Sequence, residues 1–106
     1  MTEFEKSPTL VIKATICMRS SEEIGQDKGI MEGFSSSIYF SGNHYPARVV
    51  TCESVIMPSH KGQVTLFMLD SFPERSDICA GATFELKNGS LTVAEGSVLS
   101  VSEQTD

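Results

Sequence analysis

The sequence lacks long apolar runs and a basic, apolar N-terminus. A membrane-spanning helix needs about 20 consecutive apolar residues, and no stretch of the 106 residues approaches that length. The first ten residues, MTEFEKSPTL, are acidic where a secretory signal would be basic and then apolar. We therefore expect a cytoplasmic protein without a membrane partner.

Cysteine is scarce. The three cysteines are widely spaced and none forms a C-x-x-C pair, which argues against both a disulfide framework and a zinc knuckle. Unpaired cysteine is among the residue types most often buried in folded proteins. We therefore expect Cys17, Cys52 and Cys79 to be buried free thiols.

Phosphate-binding signatures are also missing. The chain has no G-x-x-x-x-G-K-[ST] loop, so nothing in it predicts binding or hydrolysis of GTP or another cofactor. Eight basic residues stand against fourteen acidic ones, for a net charge of -6. The bases are spread along the chain, whereas a nucleic-acid site usually clusters them. An acidic domain repels nucleic acid at long range, which favours a protein partner.

Alternating apolar residues are what the sequence does contain. In LVIKATICM, residues 10–18, every second side chain is apolar, as in a half-buried strand. Similar stretches follow at SSIYF, ARVVTC, QVTLFMLD, TFELK and SLTVAEGSVLSV. The polar segment RSSEEIGQDKGIMEG is too broken for a stable helix, so we expect a loop there. The pattern predicts one all-β domain over residues 1–106, a small antiparallel barrel or sandwich of six or seven short strands, and of the two a barrel also removes exposed strand edges.

The last two predicted strands form a hairpin. Asn88 and Gly89 both tolerate positive φ, which predicts a tight turn at these two residues. Gly96, inside the second strand, predicts a bulge or a tight corner. The alternation predicts that the following side chains point into the core: Ile12, Ile16, Phe40, Leu66, Met68, Phe84, Leu86, Val93 and Val98.

Three groups of residues could form a catalytic or metal site, and each has a simpler interpretation. His44 or His60 could pair with Cys52 as a base with a thiol, or both histidines could be solvated in polar turns. A His-His-Cys metal site lacks the usual ligand spacing. The acids Glu22, Glu23, Asp27 and Glu32 lack the alternating positions of a calcium loop. We therefore expect no catalytic residue and no metal site.

Three segments resemble one protein family. FELKNGSLTVAEGSVLSV, residues 84–101, resembles the last hairpin of the C-terminal barrel of elongation factor Tu. EGFSSSIYF is similar to that family's KGYRPQFYF, and VIMPSHKGQVTLFML to its VMPGDNVKMVVTLI. The positions in register within the hairpin are Phe84, Leu86, Lys87, Gly89, Thr92, Val93, Gly96, Val98 and Val101.

Together with the alternation, the resemblance predicts a small closed antiparallel barrel of six or seven strands with its core at about 9–101. In the family this domain is a six-stranded barrel that hydrolyses nothing, packs on a GTPase domain, contacts the T stem of aminoacyl-tRNA and meets an exchange factor. The corresponding RNA-contact candidates are Ser37, Lys87, Asn88 and Gly89. Most basic residues of the family's contact set are replaced, and the basic loop has become GQDKG. Since each lost phosphate contact weakens binding, tRNA is possible but disfavoured as a partner.

The resemblance therefore favours a non-catalytic module that docks to a protein, such as a translation factor or a toxin. The candidate contact residues are Phe34, Tyr39 and Leu91, which are apolar or aromatic near the face where the family barrel meets its neighbours. Leu91 stands where the family carries arginine, and exposed apolar groups often mark protein contacts. The alternative is that Phe34 and Tyr39 fill the end of the barrel.

Overall fold

The computed structural model describes residues 9–25, 29–52, 54–68 and 77–104. Six strands close into an antiparallel barrel in the order β1-β4-β3-β2-β5-β6, which confirms the predicted all-β fold. No helix among the described residues is long and apolar enough to cross a membrane. The elements are β1 Thr9–Met18, α1 Ser21–Ile24, β2 Ser35–Phe40, β3 Asn43–Cys52, β4 Lys61–Met68, β5 Thr83–Asn88 and β6 Leu91–Gln104.

The strand β1 shows how the alternation builds the wall of the barrel. It pairs with β4 on one side and with β6 on the other. Its even-numbered residues 10–18 are buried, while Lys13 and Cys17 face solvent. The prediction of buried thiols is therefore wrong for Cys17, and it is also wrong for Cys79, which is exposed. The side chain of Cys52 lies outside the described residues.

The predicted interior residues are buried, with one exception. Phe40 is half-buried and packs against the core from the end of β2. The core also includes residues from outside the strands, namely Ile24, Ile30, Ile56 and Ile78. Ile24 is in α1 and the other three lie in loops, where side chains do not alternate between two faces as they do in a strand, so the alternation could not predict their burial.

The last hairpin differs from the prediction in two details. Asn88 pairs with Leu91, so the central residues of the turn are Gly89 and Ser90. Gly89 has φ of 66°, as the first central residue of a type II′ turn requires. Asn88 is thus the last residue of β5 and is not inside the turn.

Gly96 is explained by a close contact. It pairs regularly with Ile16 and Phe84, and the register shifts lie on either side of it, around Val93 and Leu99. A Cβ atom at Gly96 would lie 2.5 Å from Cζ of Phe84. The bulge predicted here is therefore nearby but not at the glycine, which instead makes room for the Phe84 ring.

The two ends of the barrel can be defined from the register. At the α1 end, β1, β3 and β5 finish and β2, β4 and β6 begin. At the opposite end, which we call the hairpin end, β2 turns into β3 through Ser41 and Gly42. The turn between β5 and β6 lies at the α1 end. The segment predicted as a loop contains one turn of helix, α1, whose N-terminus is capped by Ser20 and Glu23 in a capping box.

Candidate functional surface

Exposed apolar side chains are concentrated at the α1 end of the barrel. The described residues include five large hydrophobic side chains that are exposed, and four of them lie at this end. These four, which we call the apolar rim, are Met31 (54% exposed), Val55 (44%), Met57 (44%) and Leu91 (39%). The fifth, Leu99 (47%), lies midway along β6. Exposed apolar side chains gathered in one region can mark a protein contact surface.

A backbone bridge between Ile30 and Ile56 directs three of the four rim side chains outward. Ile30 and Ile56 exchange two backbone hydrogen bonds of 2.9 Å, and both side chains are buried in the core. In an extended antiparallel pair the neighbouring side chains point to the opposite side. Met31, Val55 and Met57 are therefore directed outward because Ile30 and Ile56 are directed inward.

Gly29 lets the two rim segments approach each other. A Cβ atom at this position would lie 2.5 Å from Cγ1 of Val55 and 2.6 Å from the carbonyl oxygen of Ile56. It would also lie 3.0 Å from Sδ of Met57. Val55 and Met57 therefore cover the same backbone and form one continuous apolar surface.

A tight turn fixes Met57 on the barrel. The N–H of His60 donates to the carbonyl of Met57 (3.0 Å), with Pro58 and Ser59 as the central residues. Ser59 has φ of 70°, so Pro58 and Ser59 fit a type II turn. The N–H of Ser59 donates to the carbonyl of Met18 (3.1 Å), which ties the turn to the end of β1. A cleft of about 190 Å³ opens beside Val55 and Met57.

Charged residues surround the other side of this end. Arg19 donates to Glu95 on β6 at 2.6 Å and lies 3.9 Å from Glu23 on α1. The bond to Glu95 raises the pKa of Arg19 above its ordinary value. Hydrogen bonds from the backbone N–H and hydroxyl of Ser20 lower the pKa of Glu23, and Arg19 lowers it further. These contacts hold α1 beside β6.

The three predicted protein-contact residues have different surroundings. Phe34 is half-buried and packs against the core, in agreement with the alternative that it fills the barrel end. Tyr39 lies on the outer wall, with its ring centroid 4.8 Å from that of His44 and 5.2 Å from Nζ of Lys87. Leu91 is exposed at the α1 end and belongs to the apolar rim.

The four RNA-contact candidates lie close together. Ser37 is opposite Lys87 in the pairing of β2 with β5, and Asn88 and Gly89 follow Lys87 directly. The charge of Lys87 is already engaged, since its Nζ is 3.8 Å from Oε1 of Glu85 as well as near Tyr39. The structure therefore brings these residues together but leaves little uncompensated positive charge on them.

An open groove of about 700 Å³ runs along the outer wall, lined in part by Cys17, Tyr39, Glu85 and Glu95. Both carboxylates have partners, because Glu95 binds Arg19 and Glu85 accepts from the hydroxyl of Thr92 at 3.1 Å. The thiol of Cys17 lines the groove, and no histidine of the described part of the chain lines it as well.

The histidines lie apart from any cluster of metal ligands. His44 is in β3 and exposed, contrary to its predicted place in a turn, while a ring nitrogen of His60 lies 3.0 Å from the carbonyl of Pro58. Within the described ranges, no group of three or more His, Cys, Asp and Glu side chains could hold a metal ion.

The sequence prediction missed three of the four rim residues, Met31, Val55 and Met57. A signal was present, since MPSH is a turn sequence that follows two apolar residues, but without the fold nothing shows which of them face outward. Comparison with known proteins adds no assignment: no protein-family model matches the chain, and no curated protein matches it either.

Proposed function

We propose that this chain is a non-catalytic binding module that docks to a protein partner through the apolar rim at the α1 end. The observation that carries the proposal is the position of the exposed large apolar side chains: of the five among the described residues, four lie at one end. Two of the four are methionines, whose flexible thioether side chains adapt well to partner surfaces. The cleft beside Val55 and Met57 offers a place for one anchoring side chain of the partner.

The rim is supported rigidly from below. Ile30 and Ile56 are buried and hydrogen-bonded to each other, and the turn that carries Met57 is bonded to Met18. A surface that is already ordered loses little conformational freedom on binding, which favours affinity. The rim is therefore suited to docking without a large rearrangement.

The resemblance to elongation factor Tu fits this proposal. In that family the corresponding barrel meets protein neighbours, and here it would act in the cytoplasm. A translation factor or a toxin that acts on one is therefore the partner we propose. The net charge of -6 favours a protein over a nucleic acid.

Affinity capture with matched variants tests the proposal. The wild type, a Met31→Ser/Met57→Ser double variant and a Leu99→Ser variant are immobilised and exposed to extract of the cells that produce the protein. Leu99 is the control because it is equally exposed but lies outside the rim. We expect the wild type and Leu99→Ser to retain the same protein. The double variant should lose about 2 kcal/mol of binding free energy or more, about a thirtyfold fall in affinity.

Two results would contradict the proposal. Equal retention of that protein by all three baits would remove Met31 and Met57 from the contact surface. Equal loss with the double variant and with Leu99→Ser would show that general surface hydrophobicity is responsible.

A weak RNA-binding barrel is the second candidate, because Ser37 and Lys87 face each other and Asn88 and Gly89 lie next to them. If tRNA binds, Lys87→Ala should reduce the dependence of log affinity on log salt by about one unit. Lys13→Ala, which removes an exposed charge from β1, is the control and should leave more of the slope intact. An unchanged slope in Lys87→Ala would exclude Lys87 from the contact set.

A further inference from the structure

The four methionines among the described residues divide sharply by exposure. Met18 and Met68 are buried at 2% and 0% exposure, whereas Met31 and Met57 are exposed at 54% and 44%. Met1 lies outside the described residues. Both exposed methionines belong to the apolar rim, and both buried ones belong to the core.

We infer that Met31 and Met57 are an oxidation-sensitive pair, through which a hydroperoxide switches off docking by the apolar rim. The inference rests on the proposed function, because it concerns the regulation of that same surface. Methionine oxidation turns a flexible apolar side chain into a polar one and disrupts methionine-rich interfaces, and methionine sulfoxide reductases reverse it.

The chemistry requires only the thioether and the peroxide. The sulfur gives an electron pair to one peroxide oxygen, so that an S–O bond forms and the O–O bond breaks. The sulfur is oxidised to the sulfoxide, and the peroxide is reduced and leaves as water or as an alcohol. The reaction needs access to the sulfur, which Met31 and Met57 provide and which Met18 and Met68 lack.

The fold limits the damage to the rim. The residues that precede Met31 and Met57 in the chain, Ile30 and Ile56, are buried and cannot undergo this reaction, and the bridge between them consists of backbone hydrogen bonds. Oxidation therefore changes the polarity of the rim while the barrel beneath it stays intact. The modification acts on the contact surface and leaves the fold unchanged.

The test begins with alkylation of the thiols, because Cys17 and Cys79 are exposed and would also react. The full chain is then treated with hydrogen peroxide, and oxygen incorporation at each methionine is followed by peptide mass spectrometry. Met31 and Met57 should oxidise about tenfold faster than Met18 and Met68, or more. Comparable rates at all four positions would overturn the inference.

Two further measurements separate this inference from the proposed function. Retention on a phenyl-substituted resin reports the apolarity of the rim without any partner, and it should fall on oxidation of the wild type. A Met31→Leu/Met57→Leu variant keeps the apolar surface and should keep its retention after peroxide. Unchanged retention of the oxidised wild type would refute the switch.

Binding to the captured partner is the last measurement. We expect the oxidised wild type to lose binding and the peroxide-treated leucine variant to keep it. Methionine sulfoxide reductase should restore binding in the oxidised wild type. Binding that survives oxidation of both methionines would refute the switch. If the resin result holds but the rim variants bind the partner normally, the proposed docking surface fails and this inference fails with it.

Discussion

At the α1 end, the barrel interior is covered by Ile24, Ile30 and Ile56, and at the hairpin end the segment leading into β5 contributes the buried Ile78. The described residues exposed at the hairpin end are small or polar, among them Ser41, Asn43 and Thr83. The α1 end instead exposes Met31, Val55, Met57 and Leu91. Closing a barrel requires buried apolar residues at its ends but no exposed ones. The exposed apolar rim is therefore not a consequence of folding, and this difference between the described residues of the two ends is the reason to look for function at the rim.

The largest expected effect on the free energy of unfolding comes from shortening a buried side chain at either end of the barrel. Ile30→Ala and Ile78→Ala each delete a fully buried side chain, one at each end, and each should cost about 2–5 kcal/mol in the free energy of unfolding. Met31→Ser, one residue from Ile30 but exposed, should change that free energy by about 0.5 kcal/mol or less. Urea denaturation of the three variants is the measurement.

The same variants separate stability from function. Partner affinity, measured where each variant is fully folded, should fall in Ile30→Ala and Met31→Ser and stay at the wild-type level in Ile78→Ala. A loss of stability in Met31→Ser as large as that in Ile30→Ala would mean that Met31 is a packing residue. The contrast between the two ends would then disappear.

A smaller effect is expected from the serines with positive φ, one at each end. Ser59 is in the turn that holds Met57 (φ 70°), and Ser41 is in the β2–β3 hairpin (φ 54°). A left-handed conformation costs a residue other than glycine about 1–2 kcal/mol, and glycine returns part of this through its greater freedom when unfolded. Ser59→Gly and Ser41→Gly should each stabilise the fold by about 0.5 kcal/mol, measured by thermal unfolding.

The two serine variants should act alike on stability and leave partner affinity unchanged, because neither side chain belongs to the rim. Destabilisation by Ser59→Gly would show that its hydroxyl supports the α1 end in a way that Ser41 does not support the hairpin end.

The smallest effect concerns the pH dependence of stability that the capping box of α1 contributes. Hydrogen bonds from Ser20 and the charge of Arg19 lower the pKa of Glu23 in the folded protein. The carboxylate therefore stabilises the fold above its unfolded-state pKa, and this contribution is lost as the pH falls through the lowered pKa. Glu23→Gln should lower the urea midpoint at neutral pH, and the gap from the wild type should close as the pH falls below the ordinary range of a glutamate carboxyl and through the lowered pKa of Glu23. A gap that stays constant with pH would refute this account of the capping box.

The walls of the barrel were predictable from the sequence. Alternation along β1 and β4 distinguishes inward from outward side chains because successive residues of a strand face opposite sides. The same alternation places Cys17 among the outward residues of β1, and it proved a better guide than the general tendency of cysteine to be buried.

The rim was not predictable in the same way. Ile24 lies in the single turn of α1, and Ile30 and Ile56 lie in irregular segments, so their burial depends on which of these segments fold over the end of the barrel. Whether Met57 faces the core or solvent depends on the bridge between Ile30 and Ile56, a contact between residues far apart in sequence. The turn after Asn88 differs by one residue from the prediction because Asn-Gly and Gly-Ser both favour tight hairpins, and strand pairing decided between them.

Hydrogen exchange of this chain with and without its captured partner tests the central claim most directly. If the partner docks on the apolar rim, protection should increase at residues 29–34 and 54–60 and around Leu91, with no change at the Ser41–Gly42 turn or at Leu99. Protection confined to Ser37, Lys87 and the neighbouring outer wall, with the rim unchanged, would contradict the account.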